Sequence, residues 1–164
     1  TVSTPNVIQA SPSSFFSCLT NGNAKPIKAS EVCLLSFTTT NPLEENSDIQ
    51  IGFPSEVDLT SLTTIRILTP VAKTSGLPFT RSGNNITITD VIDSYQAPGS
   101  FTLRFEFISH PRTTKPTSSF HITTMINNNP IDTITSGLSY SPSAGVLTNF
   151  LITANPAEAG SISQ

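Results

Sequence analysis

Two short signatures occur near each end of this chain. Ser11-Pro12-Ser13 returns as Ser141-Pro142-Ser143, and Thr40-Asn41-Pro42 with Glu44 returns as Ala154-Asn155-Pro156 with Glu158. Each Asn-Pro closes a run of apolar and Thr residues, Leu34 to Thr40 in the first copy and Val146 to Thr153 in the second. Recurrence of this kind marks tandem modules, each of which buries one face against its neighbours. The chain therefore reads as one full module, residues 1–140, followed by the opening of another, residues 141–164. That second opening has no later strands in the sequence with which to pair, and an unpaired strand edge is a template for joining another chain.

The copies differ in length. From Ser-Pro-Ser to Asn-Pro the first carries about 16 extra residues, most of them between Cys18 and Cys33. Only two cysteines occur. A pair bracketing an insertion predicts a disulfide at the base of a loop, which places the protein in an oxidising compartment. The competing reading, a metal centre, lacks ligand spacing: two cysteines and two distant histidines do not form a ligand pattern.

Strand signals dominate. Phe101, Leu103, Phe105 and Phe107 alternate with Thr102, Arg104 and Glu106, which predicts one face in a core and one in water. Asn85 to Thr89 and Thr64 to Thr69 alternate likewise, with Ile65, Ile67, Ile86 and Ile88 inward. Ile49, Ile51 and Phe53 share a face, as do Phe120, Ile122 and Ile126. In the run from Glu31 to Thr40, Val32 and Leu34 are set inward, with Leu35 and Phe37 as further core candidates. Ile131 and Ile134 mark a strand after Asn129-Pro130. Asn-Pro pairs, Ser82-Gly83-Asn84-Asn85 and Ala97-Pro98-Gly99 supply turns between these runs. Thirteen prolines argue against helices, and a helical turn is expected at most around Ser55 to Leu62. Seven or eight short strands at this spacing predict an all-β, antiparallel β-sandwich.

Charged residues make up 12% and the net charge is −3. The eight Lys and Arg are scattered singly, which makes nucleic acid and anionic membrane surfaces poor candidates as partners. No apolar run approaches the roughly 18 residues of a membrane span. The chain opens on Thr with no signal peptide, as a processed or excerpted segment does. Asn85-Ile86-Thr87 is a glycosylation sequon, so Asn85 is the candidate sugar site. An extracellular or cell-surface home follows from these features together.

One order of features runs through nearly the whole chain. It begins with a Phe-Thr-Thr-Thr-Asn-Pro strand (Phe37 to Pro42) and an Ile-x-Ile-x-Phe-Pro strand (Ile49, Ile51, Phe53, Pro54). It continues with Asn85 to Ile88 and with Pro111 to Phe120. The order resembles the tandem repeat modules of large extracellular surface proteins of ciliates and other protists. The resemblance implies an immunoglobulin-like β-sandwich whose C-terminal strand extension belongs to the next module. It implies a building block without catalytic residues.

Sites of chemistry are sparse. His110 ends a strand and His121 lies opposite Phe120 and Ile122, on the solvent side. Neither has an acid and a nucleophile beside it in sequence, although triads are assembled by geometry. Glu44, Glu45, Asp48, Glu56 and Asp58 could form a weak calcium site at one end of a sandwich. A solvated turn region is the plainer reading, as it is for Asp90 and Asp93. Glu106 suits a cross-strand partner for a Lys or Arg better than half of a carboxylate pair. No phosphate-binding glycine loop occurs.

The expected function is that of a structural extracellular module, assembling head to tail into a filament or tandem array through strand exchange. Its assembly strand is Gly145 to Thr153, with Val146, Leu147, Phe150, Leu151 and Ile152 as the buried contacts. Its partners are copies of itself or adjacent repeats, and its surroundings suit a glycoprotein of cell adhesion. No enzyme activity, cofactor or bound metal is expected. The rival is a carbohydrate-binding or adhesin-type sandwich, which needs exposed aromatic rings. Trp is absent and only Tyr95 and Tyr140 are tyrosines.

Overall fold

The computed structural model describes residues 6–8, 15–19, 30–70 and 75–142. Ten strands are assigned: β1 (Asn6–Val7), β2 (Phe16–Leu19), β3 (Ser30–Thr38), β4 (Asp48–Gly52), β5 (Thr64–Thr69), β6 (Phe79–Ser82), β7 (Asn85–Ile88), β8 (Ser100–Ser109), β9 (His121–Ile126) and β10 (Asn129–Ile134). They form two sheets, ordered β1-β10-β9-β4-β7-β6 and β2-β3-β8-β5. Every pairing is antiparallel except β1 with β10, which runs parallel from Asn6↔Asp132 to Val7↔Thr133. The expected β-sandwich is the fold. The expected turn around Ser55 to Leu62 is a pair of tight turns, closed by Val57 N–H to Pro54 O and Leu62 N–H to Leu59 O.

The two inner faces meet in one core. Ile49 and Ile51 of β4, Ile86 and Ile88 of β7 and Ile122 of β9 face Leu35 and Phe37 of β3. Leu103 and Phe105 of β8 and Ile65 and Ile67 of β5 complete that side. Period-two alternation made these positions legible, because successive strand side chains point to opposite faces. Phenylalanines concentrate at one end: Phe15, Phe16, Phe53 and Phe120 are buried, with Phe53 edge-on to Phe105 at 5.4 Å and Phe16 against Phe120 at 4.9 Å. Aromatic pairs in such offset and edge-on arrangements contribute beyond the area they bury.

Several inward assignments fail, the clearest at an irregularity in β8. Phe107 is 48% exposed, and Ile108 is buried in its place. The register of β3 on β8 jumps from Glu31↔Ile108 to Cys33↔Phe105. One extra residue on β8 is therefore left unpaired, with Phe107 at φ 69. A bulge reverses the alternation beyond it, so the face that Phe101 opens is continued by Ile108. On β3 the phase is also the reverse of the expected one. Glu31, Cys33, Leu35, Phe37 and Thr39 are buried, while Val32 and Leu34 are only partly so. Ile126, Ile131 and Ile134 likewise lie at the margin of the core.

The hairpin at Ser82-Gly83-Asn84-Asn85 forms as its sequence suggests. β6 and β7 pair Ser82 with Asn85, so Gly83 and Asn84 make a two-residue turn. Gly83 sits at φ 60, a conformation that costs glycine nothing. Asn84 Nδ2 donates to the carbonyls of Pro54 and Val57 and ties the turn to the loop after β4.

Candidate functional site

Two clusters of buried polar groups lie in the described residues, and each contains a part of the repeated sequence or its disulfide. The first is built on the strand β3. Cys18 of β2 stands directly opposite Cys33 of β3, and the two form the disulfide. Cys33 points into the core, so by alternation Glu31 does too. Its carboxylate Oε2 meets Nε2 of His110 at 2.7 Å. His110 follows β8, the other neighbour of β3, and its Nδ1 lies 3.1 Å from the hydroxyl of Tyr140. A chain Glu31–His110–Tyr140 thus runs beside the disulfide. Tyr140 packs edge-on against Phe16 at 5.1 Å. Burial, and then the charge of Glu31, push its phenol above the ordinary tyrosine range. Glu31 keeps one buried oxygen, Oε1, without a hydrogen-bond partner.

Sequence reasoning placed His110 at a strand end and did not select Glu31. The signal was there: an acid two residues before a core cysteine shares its face. What brings His110 and Tyr140 to it is the pairing of β3 with β8, which no local pattern states. A Glu–His–Tyr chain resembles the acid and base of a triad in outline. The hydroxyl on its second ring nitrogen is the phenol of Tyr140 rather than a serine.

A cleft of about 390 Å³ opens beside His110, lined also by Ser55, Glu56, Asp58, Ser109, Arg112 and Thr113. Its acids are already occupied. Glu56 accepts from the backbone N–H and the hydroxyl of Ser118, at 2.9 and 3.0 Å. That backbone bond is the main reason its carboxyl is held below the usual range. Asp58 accepts from the hydroxyl and backbone N–H of Thr60, which lower it likewise. Of the other acids of the expected neighbourhood, Asp48 accepts from the N–H of Asp90, and Glu44 and Glu45 are exposed.

The second cluster holds the repeated Asn-Pro. Asp132 of β10 is fully buried. Its Oδ1 accepts from the hydroxyl of Thr40 at 2.7 Å and from Asn41 Nδ2 at 2.8 Å, and its Oδ2 from the backbone N–H of Asn41 at 3.2 Å. Its own N–H donates to Thr124 Oγ1 at 3.1 Å. The Thr-Asn-Pro signature is therefore a latch that fastens the end of β3 in one sheet to β10 in the other. Buried carboxylates persist only where donors replace water in this way.

The remaining sequence-selected residues fall apart in space. His121 is exposed, as expected. Glu106 pairs across strands with Arg66 of β5 at 3.9 Å, as the surface reading expected, and with Arg104 of its own strand β8 at 3.4 Å. Asn85 is exposed at the start of β7. Tyr95 is 65% exposed, whereas Tyr140 is committed to the Glu31–His110 chain. The assembly residues Val146, Leu147, Phe150, Leu151 and Ile152 lie outside the described residues. Among the described residues no helix is long and apolar enough to cross a membrane.

No protein-family model and no curated protein matches the sequence. Among solved structures the chain is similar to the C-terminal domain of the antigen I/II-family protein AspA of Streptococcus pyogenes. The match has 9% identity and a TM-score of 0.39, and it covers 76% of this chain and 42% of that one. A likeness this distant carries no argument about function, so the functional reading rests on the sandwich, its disulfide and its two buried clusters.

Proposed function

We propose that this chain is a structural module of an extracellular or cell surface, joined end to end to copies of itself or to successive modules. In this reading the segment from Gly145 to Gln164 is given to another sandwich, as in the tandem surface proteins whose motif order the sequence resembles. The observation that carries it is the latch. Thr40-Asn41 uses Asp132 as its acceptor, and Asp132 is the one buried aspartate among the described residues. Asn155-Pro156 repeats the motif, and the acceptor it calls for is already taken. An equivalent acid in another module would satisfy it.

Two further features support the reading. Leu138 and Pro142 are buried in this sandwich, and Leu138 O accepts from Phe120 N–H at 2.7 Å. The first module therefore uses its chain as far as the second Ser-Pro-Ser. Adding a strand to a neighbour satisfies the backbone of the strand and buries its side chains. A head-to-tail contact of this type gives a filament unless rotation closes a ring.

Removal of residues 143–164 tests this. The truncated chain should melt at the temperature of the full chain and remain monomeric in light scattering, while the full chain assembles as its concentration rises. Unfolding on truncation, or a full chain that stays monomeric throughout, defeats the proposal. The carbohydrate-binding alternative retains Tyr95 and Phe107 as exposed rings. Glycan-array binding abolished by Tyr95→Ala would favour it instead.

A further inference from the structure

The disulfide lies against a third side chain that binds metals. The Sγ atoms of Cys18 and Cys33 and a ring nitrogen of His110 all lie within 4.8 Å of one another. Sheet register fixes this grouping. Cys18 faces Cys33 across β2 and β3, and β8, which leads into His110, is the other neighbour of β3. In the oxidised protein both sulfurs are bonded to each other. A dithiol or phosphine reductant supplies two electrons, the S–S bond breaks, and two protons complete two thiols. Those thiols are then confined beside an imidazole. Binding of Zn(II) displaces the two thiol protons and leaves two thiolates on the metal.

The spacing suits that outcome. A tetrahedral Zn(II) with two thiolates and an imidazole separates its donor atoms by about 3.6–3.8 Å. Opening the S–S bond frees both cysteine side chains to rotate toward this spacing. The imidazole is also held from behind. Glu31 Oε2 lies 2.7 Å from His110 Nε2, and the Glu31 side chain is only 6% exposed. A carboxylate that takes the distal N–H of a histidine fixes its tautomer and raises its basicity as a ligand. With Nε2–H donated to Glu31, Nδ1 is the nitrogen left for the metal, in place of its present contact with the Tyr140 hydroxyl.

We propose that reduction of Cys18–Cys33 converts this end of the sandwich into a zinc site. Cys18, Cys33 and His110 are the ligands, water takes the fourth position, and Glu31 positions the imidazole. The oxidised chain does not bind zinc here. Zinc then holds β2 to β3 under conditions that open the disulfide. This goes beyond the proposed assembly and does not depend on it.

The test uses the full chain, reduced with a phosphine, desalted under nitrogen and titrated with Co(II) and then Zn(II). One Co(II) per chain should bind, with thiolate-to-cobalt charge transfer and the intense visible bands of a tetrahedral site, and Zn(II) should displace it. Zn(II) should raise the melting temperature of the reduced chain and leave that of the oxidised chain unchanged. Cys18→Ser should abolish uptake, and His110→Ala and Glu31→Gln should each weaken it by about 10- to 100-fold. Melting the two latter variants in the oxidised state, where no metal takes part, separates a folding defect from loss of a ligand. Three results overturn the proposal: no uptake by the reduced chain, His110→Ala binding as tightly as the parent, or a reduced chain that stays unfolded with Zn(II) present.

Discussion

Asp132 and Glu31 are both buried acids, one in each sheet, and they are treated differently. Asp132 receives three hydrogen bonds from Thr40 and Asn41, all from a single corner of the chain. Glu31 receives one, from His110, and keeps an oxygen unpartnered. A buried charge costs several kcal/mol unless donors replace its water, and the penalty falls on whatever is left unpaired. The first site is therefore a fastening between sheets. The second is a site with spare capacity, and it lies beside the disulfide and the cleft. The contrast teaches that burial alone does not distinguish a structural acid from one available for other chemistry; the count of donors does.

The sharpest way to break this contrast is an isosteric pair of substitutions. Asp132→Asn replaces one carboxylate oxygen with an NH2 group facing the Thr40 and Asn41 donors, and should cost about 3–4 kcal/mol. Chemical denaturation measures it. Glu31→Gln in the oxidised protein loses one strong hydrogen bond but relieves an unpaired carboxylate, and should cost only about 1–1.5 kcal/mol. Equal costs for the two would show that donor count is the wrong distinction.

Tyr140→Phe keeps the ring on Phe16 and removes the hydroxyl from His110, for an expected loss of about 0.5–1 kcal/mol near neutrality. The phenol is raised by burial and then by Glu31, so the folded state favours its neutral form. That contribution is complete below the ordinary tyrosine range and is lost as pH rises through the raised value. Melting curves of parent and variant should therefore converge in strongly alkaline solution. A gap that widens with pH would remove Tyr140 from the chain of groups.

Glu56→Gln should have the smallest effect, because the group is exposed. Its carboxyl is lowered chiefly by the N–H of Ser118. Its contribution is present above the ordinary carboxylate range and disappears as pH falls through the lowered value. The variant should match the parent in acid and fall slightly below it at neutral pH. A difference confined to acid solution would reverse the sign and count against the assignment.

Much of the sandwich was legible. Ile49, Ile51, Ile65, Ile67, Ile86 and Ile88 alternate with polar residues, and each is buried. Phe107 was not legible, because a bulge adds one residue to β8 and the pattern Phe-Glu-Phe-Ile cannot report it. Glu31 was missed for a related reason. The run from Glu31 to Phe37 is apolar on both sides, so either phase could face the core. The latch was seen as a recurring motif, but its use was hidden, since Asp132 lies about ninety residues from Asn41 in the chain.

By itself the sequence determined the fold class, the inward faces of the regular strands, the turn at Gly83 and the pairing of the two cysteines. These are local or forced by elimination: period-two burial, cheap left-handed glycine, and a pair of thiols with no other choice. Only the tertiary structure decided which partner each buried polar group received. Thr40 and Asn41 meet Asp132, and Glu31 meets His110 and then Tyr140, because separate strands set them side by side. Hydrogen bonds act over about 3 Å in space and carry no trace of their partner along the chain.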